Sequence, residues 1–383
     1  MNKSLRILFL INGYGLGNAT RCHAIIEEML HSSNKNHLNV KIIASGKSYE
    51  YFKTNLKNIQ LLSAKQLQAF PKEKKNQIFL KKIIVTIKNI YYLFWNHLFV
   101  LNEVLKFKPI LVITDSFYIF FPLRFIPNTK VWSINNSSLV VQNRNILGPQ
   151  YWSHFLRIEL TDYIYHYLFS KKVFVPTLKI NSNITKNNFN NKFVPTPLIL
   201  RSGFIKKEQG QYQASKNRLL FLSSSSYQEK SLHLEFNRPE LKITIVGSGM
   251  TPLLKSAHST DKMVSKYSTE IYPSTLSDKK IVSLLKETVV AVSFAGTNTL
   301  SELYSLDIPT LILPIPGHSE QRINGFLFGK ITSPKTFAID LENLLKHLKN
   351  RNEDKICSRY EETGSNVISQ LILDTLIDNS QFQ

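Results

Sequence analysis

Between residues 277 and 328 the chain reads SDKKIVSLLKETVVAVSFAGTNTLSELYSLDIPTLILPIPGHSEQRINGFLF. An apolar run ends at Phe294, and Ala295, Gly296, Thr297 and Asn298 turn into a helix that carries Glu302. A helix N-terminus offers unpaired N–H groups and a favourable dipole, so a diphosphate can sit there. Gly296 lets the backbone come close to such a group. Glu302, about a turn and a half further on, could reach the two hydroxyls of a ribose. The next apolar run ends at Pro314, and Pro316, Gly317, His318, Ser319, Glu320 and Gln321 follow as a polar loop before another helix. Taken singly, Glu302 reads as a solvated helical carboxylate and Gln321 as a polar helix start. Their spacing after two strands favours a shared site.

A second loop, INGYGLGNATRCHA at 11–24, follows the first strand. Gly13 and Gly15 suit the first two glycines of a dinucleotide fingerprint, but Asn18 stands at the third small position. The second strand ends in Ala44, Ser45, Gly46 and Lys47, without the acid that would hold an NAD ribose. Gly46-Lys47-Ser48 imitates the tail of a P-loop, but the required first glycine is Lys41. Neither NAD nor a Walker-type nucleotide site is expected. Alone, the loop is an ordinary tight strand-to-helix turn.

The elements that must position these loops alternate. Strand-like runs at 6–11, 40–45, 110–115 and 130–135 are separated by helical stretches, and the rhythm fades between 140 and 200. It resumes at 218–223, 242–247, 289–294 and 309–314. This predicts two doubly wound parallel sheets, joined near 196–205, with a last helix at about 361–377 available to cross back. The ends of their strands, GYGLGN in one and Ser223 to Ser226 in the other, are where open α/β sheets bind ligands.

The C-terminal stretch resembles the nucleotide-binding domain of the MurG-like glycosyltransferases (the family 28 type). The resemblance rests on Ser293, Ala295, Gly296, Thr299 and Glu302, and on Pro314, Pro316, Gln321 and Asn324, with Gly325 where the family has alanine. The N-terminal loop is similar to the family's G-x-G-x-G-H, with Asn18 replacing the histidine. The resemblance implies an α/β protein of the GT-B fold, two Rossmann-like doubly wound domains facing a cleft. It implies an acceptor-binding domain over 1–200 and a nucleotide-sugar-binding domain over 201–383. Glu302 would bind the ribose; Gly296, Thr297 and Asn298, with Ser224, Ser225 and Ser226, would hold the diphosphate. Glu320 and Gln321 would contact sugar hydroxyls, with His318 in the same donor loop. Gly13, Gly15, Gly17 and Arg21 would face the acceptor. The implied activity is inverting transfer from a UDP-sugar to a glycan or lipid-linked acceptor, with no metal and no cofactor beyond the donor.

Inverting transfer needs a base. Asn18 forms hydrogen bonds but does not titrate near neutral pH, so it can position a substrate and cannot be that base. Asp115, at the end of the run ILVITD, is the first candidate for the base or for orienting the acceptor; a helix cap is the alternative. His23, inside the first helix, reads as a packed or surface residue.

With 48 Lys and Arg against 27 Asp and Glu, the net charge of +21 favours anionic partners. No RNA-binding motif accompanies it, so nucleic acid is not an expected partner. Cys22 and Cys357 match no metal-ligand spacing, and an early glycine breaks the N-terminal apolar run. A cytoplasmic protein is expected, at the inner face of the cell membrane if the segment 72–101 touches lipid. There Ile83, Ile87, Ile90, Phe94 and Leu98 form a helical stripe beside six lysines, while Lys88, Asn89, Asn96 and His97 spoil a membrane span. The alternative is packing on the N-terminal sheet. Two other functions remain: a UDP-sugar 2-epimerase on the same fold, and a non-catalytic nucleotide-sugar-, membrane- or nucleic-acid-binding protein.

Overall fold

A computed structural model describes residues 5–32, 38–68, 78–119, 123–178, 192–205, 217–222, 238, 240–247, 269–273, 276–349 and 362–381. Two all-parallel sheets organise them. The first contains β1 (Leu5–Ile11), β2 (Leu38–Ser45), β3 (Gln60–Ala64), β4 (Leu111–Asp115), β5 (Lys130–Ile134), β6 (Lys172–Pro176) and β7 (Phe193–Thr196), in the order β3-β2-β1-β4-β5-β6-β7. The second contains β8 (Arg218–Leu222), β9 (Lys242–Val246), β10 (Thr269–Tyr272), β11 (Thr288–Ser293), β12 (Thr310–Ile312) and β13 (Lys330–Ile331), in the order β10-β9-β8-β11-β12-β13. In each sheet the order reverses beside the first strand. That switch point opens a crevice at the carboxyl ends of the strands.

Central strands buried on both faces read as continuous apolar runs, as β1, β4 and β11 do. The sheet extends further than the sequence rhythm indicates. In the stretch from 140 to 200, where the alternation fades, β6, β7 and a long helical segment complete the first unit.

Helix α1 (Gly17–Ser32) packs its Ala19, Cys22, Ile25, Ile26 and Met29 into the core beneath the first sheet. The C-terminal helix (Gly364–Gln381) returns to that same core with Ile368, Ile372 and Leu376, and Asn366 donates to Glu28 at 2.8 Å. The chain therefore passes between the two units twice.

The helix Ile78–Phe107 packs on the first sheet along one part of its length only. Val100, Val104 and Phe107 pack on the first sheet. Asn96 and Asn89 clamp the passing backbone at Lys65 and Gln68, each through both its amide groups at 2.7–2.9 Å. The predicted stripe of Ile83, Ile87, Ile90, Phe94 and Leu98 faces outward and is exposed. Lys74 and Lys75 lie outside the described residues, and no described helix is long and apolar enough to cross a membrane.

Candidate functional site

The turn after β1 is tied down from below. Gly13 N–H donates to Ser45 Oγ at 3.1 Å, and Ser48 Oγ donates to the Asn12 carbonyl at 2.7 Å. A Cβ on Gly13 would lie 1.8 Å from the Ser45 carbonyl oxygen, so this glycine is required by packing. At Gly15 a Cβ would meet nothing within 4 Å. Gly15 therefore faces open space, where a ligand can approach.

Asn18 is held on both sides. Its amide donates to the Asn12 carbonyl at 3.4 Å, and its Oδ1 accepts from Arg21 Nη2 at 3.1 Å. Arg21 in turn grips Asp115 through Nη2–Oδ1 at 2.7 Å and Nε–Oδ2 at 3.1 Å. Asp115 is fully buried at the end of β4, and Cys22 Sγ reaches the same carboxylate at 3.7 Å. Burial pushes its carboxyl above the usual range, with Arg21 working in the opposite direction. Both oxygens are thus committed to a guanidinium, and no face is open to an acceptor hydroxyl. Asp115 thus sets Arg21, and Arg21 sets Asn18.

On the facing unit, β11 leads into Ala295 and Gly296, and the helix Thr297–Ser305 begins there. Ala295 has φ of 65°, a left-handed conformation costly for a residue with a Cβ. Asn324 holds that turn, donating to the Ala295 carbonyl at 3.1 Å and to Thr297 Oγ1 at 3.0 Å. Thr297 Oγ1 donates onward to Glu320 Oε1 at 3.0 Å. Gly296, whose added Cβ would meet nothing within 4 Å, looks into open space like Gly15.

Glu302 is half-buried and occupied. Arg201, in the segment joining the two sheets, donates from Nε at 2.8 Å and lies with Nη2 2.7 Å from the same Oε1; its Nη1 pairs with Asp278. Burial raises the Glu302 carboxyl, and Arg201 opposes that. Gln321 supports its own loop, its Oε1 accepting from the Ile315 N–H at 2.8 Å. His318 caps the helix Ser319–Phe328, accepting weakly from the Gln321 N–H at 3.4 Å. Ser224, Ser225 and Ser226 lie outside the described residues.

The two sets meet. Asn298 donates to the Gly17 carbonyl and, at 3.0 Å, to Thr20 Oγ1. Asn136, just past β5, donates to Thr297 Oγ1 at 2.9 Å. Gly17, and with it the loop carrying Gly15, Asn18 and Arg21, therefore borders the same seam as Gly296, Thr297, Asn298 and Glu320, while Gly13 packs within its own unit.

The seam also contains residues that spacing did not single out. A continuous helical stretch over 152–169 includes a π-helical turn, Phe155–Glu159. Residues five apart stand about 140° apart around an α-helix, and the wider turn brings them closer to one face. His154 and Glu159 converge there on the opposite unit. His154 Nδ1 lies 2.8 Å from Ser319 Oγ, and Ser319 Oγ donates to Glu159 Oε1 at 3.2 Å. Burial, with Glu320 and Asp162 nearby, holds the Glu159 carboxyl well above its ordinary range. Burial, His318 and Arg157 lower His154 to about 4. The π-turn has no sequence signature, which hid this pair.

No protein-family model matches the chain. A protein of Methanosarcina acetivorans described as an uncharacterized glycosyltransferase is 24% identical over 338 residues, covering 84% of this chain and 82% of its own. Among solved structures, MurG of Acinetobacter baumannii superposes with a TM-score of 0.57 at 14% identity, over 97% of this chain and 99% of that one. A UDP-glucosyltransferase from Polygonum tinctorium gives 0.59 at 9% identity, over 98% and 99%. UDP-GlcNAc 2-epimerase from Neisseria meningitidis, bound to UDP-GlcNAc, gives 0.54 at 14%, over 98% and 100%. The resemblance read from the C-terminal motifs thus extends over nearly the whole chain in three dimensions, and the protein has the GT-B fold of the MurG-like glycosyltransferases.

Proposed function

We propose that this protein is a glycosyltransferase that moves a sugar, with inversion and without a catalytic metal, from a UDP-sugar to a hydroxyl of a glycan or lipid-linked acceptor. The observation that carries this reading is the convergence, on one seam, of two glycines open to a ligand, Gly15 and Gly296, from the carboxyl ends of two facing parallel sheets. The glycosyltransferase name of the Methanosarcina relative supports it.

In this reading the unit built on the first sheet, up to about residue 200, takes the acceptor, and the unit beyond it takes the donor. The N–H groups at the start of the helix Thr297–Ser305 receive the diphosphate, with Ser224, Ser225 and Ser226 beside them. Glu302 turns from Arg201 to the ribose as the seam opens, and His318, Glu320 and Gln321 face the sugar. Those N–H groups stabilise the charge that develops on the departing diphosphate. With Asp115 committed to Arg21, the proton acceptor is assigned to Glu159, a carboxylate of the acceptor unit at the seam. Burial and the neighbouring acids raise the proton affinity of Glu159 above that of an ordinary carboxylate, which favours it as a base.

The exposed stripe on the helix Ile78–Phe107 fits an acceptor presented at the inner face of an anionic membrane. The 2-epimerase is the second reading, favoured by Glu159, Glu320 and His154 lying together where an epimerised sugar needs acid and base groups.

A thermal-shift panel of nucleotides and nucleotide sugars tests the donor. Ligands that bind the native state raise the melting temperature by mass action, and UDP and one UDP-sugar should stand out. No stabilisation by any uridine nucleotide would overturn the donor assignment. Epimerised sugar formed without acceptor would establish the second reading instead.

A further inference from the structure

The seam holds a cluster whose composition suits a second use besides sugar transfer. His154 and Glu159 come from the first unit and His318 from the second. The two imidazole rings lie face to face, with centroids 4.3 Å apart and planes tilted by 34°. His154 Nδ1 is 3.5 Å from Glu159 Oε1, and one ligand atom from each of the three residues falls within 4.8 Å of the others. We propose that His154, Glu159 and His318 form a binding site for a divalent transition metal of the zinc class, and that the ion clasps the two units together.

Geometry and ligand type both favour this. Two imidazoles and one carboxylate are a donor set suited to Zn²⁺ and Co²⁺ and poorly suited to Mg²⁺ or Ca²⁺. Metal–ligand bonds of about 2.1 Å at tetrahedral angles put neighbouring ligand atoms about 3.4 Å apart. The 3.5 Å between His154 and Glu159 already matches, and the His318 ring, which lies against the His154 ring, must turn to aim a nitrogen at the same point. Ser319 Oγ, beside both His154 and Glu159, stands where a fourth ligand or a bound water would sit. The π-turn that aligns residues 154 and 159 is a local departure of the kind found at functional sites.

The ligands come from both sides of the seam, so the ion binds the closed arrangement and not the open one. Binding and closure are therefore coupled, and any molecule that must enter the seam competes with the metal. The ion is regulatory in this scheme: it holds Glu159 and His318 and keeps the seam shut.

The test uses the full chain, stripped with chelator and exchanged into buffer, then titrated calorimetrically with ZnCl₂ and separately followed by absorption with CoCl₂. One ion per chain is expected at micromolar affinity, with a visible Co²⁺ spectrum of a four- or five-coordinate site. His154→Ala, His318→Ala and Glu159→Gln should each weaken binding at least tenfold. His347→Ala, which removes an exposed histidine elsewhere, should leave it unchanged. Circular dichroism of each metal-free variant separates lost ligands from lost folding. Failure to bind one ion, or tight binding retained by folded His318→Ala, would overturn the clasp. Neither outcome touches the UDP-sugar assignment, which is read from nucleotide binding in metal-free protein.

Discussion

Arg21 and Asp115, 94 positions apart in the sequence, meet in a two-bond ion pair of 2.7 and 3.1 Å at the floor of the seam. The pair ties the first turn of α1 to the end of β4. It also sets the guanidinium against Asn18, so one buried contact shapes the loop after β1.

Removing one partner of a buried pair leaves the other charged and desolvated, at a typical cost of about 3–5 kcal/mol. Asp115→Asn should therefore lower the urea midpoint strongly, as should Arg21→Met. The double variant Asp115→Leu with Arg21→Met should recover part of the loss. If Asp115→Asn instead keeps full stability and loses turnover alone, Asp115 acts as the base and not as an anchor.

Glu302 offers a comparison between two roles. Losing a charge-assisted hydrogen bond costs roughly 1.5–3 kcal/mol, so Glu302→Gln should weaken UDP binding about ten- to a hundredfold. It should also destabilise, because the buried Arg201 loses a carboxylate partner and keeps Asp278 as its anionic one. A lowered urea midpoint with unchanged UDP affinity would make Glu302 a structural residue.

The two kinds of glycine should respond differently. Gly13→Ala drives a methyl into the Ser45 backbone and should abolish soluble expression. Gly15→Ala and Gly296→Ala meet open space, so their melting temperatures should stay within about 2 °C of the parent, since neither adds a clash. A fall in substrate affinity without a fall in stability would mark both as ligand-facing.

His23 gives a pH dependence whose sign follows from its burial. Burial and nearby Arg201 lower it to about 4 in the folded protein, against about 6.5 unfolded. Between those values the unfolded chain binds more protons, so stability rises with pH across that window. The contribution, on the order of 3 kcal/mol, is fully present above about pH 6.5 and lost as pH falls towards 4. Urea midpoints at pH 7.5 and pH 5 should separate, and His23→Gln should narrow the gap.

At the outer helix, replacing Ile87 and Phe94 by serine, or Lys81 and Lys82 by glutamine, should release the protein from phosphatidylglycerol vesicles in a sedimentation assay. Both side-chain pairs are solvent-facing, so folding should be unaffected. If the parent protein never sediments with such vesicles, the stripe serves something other than lipid.

The central strands were legible in the sequence because burial on both faces leaves an unbroken apolar run, as in RILFLI and VVAVSF. Edge and short strands were not. β10 (TEIY) and β13 (two residues) carry too little apolar pattern, and β7 contains Pro195, which argues locally against a strand. The loops after β11 and β12 could be read because their small and polar residues fall within a short local spacing. The seam could not. Arg201 with Glu302, and His154 with His318, are pairings across 100 residues or more, formed only once two separately folded sheets face each other. Asp115 was visible as a carboxylate at a strand end, yet its commitment to Arg21 depends on which turn of α1 lies above it.

The return of the C-terminal helix to the first core has a mechanical consequence. A single tether would hold the second unit at one point, whereas the segment 197–205 and the returned helix Gly364–Gln381 pin the two units at two. A fragment cut near residue 200 would lose one pin and bare the groove that Ile368, Ile372 and Leu376 fill, so the first unit depends for its own solubility on the last turns of the polypeptide.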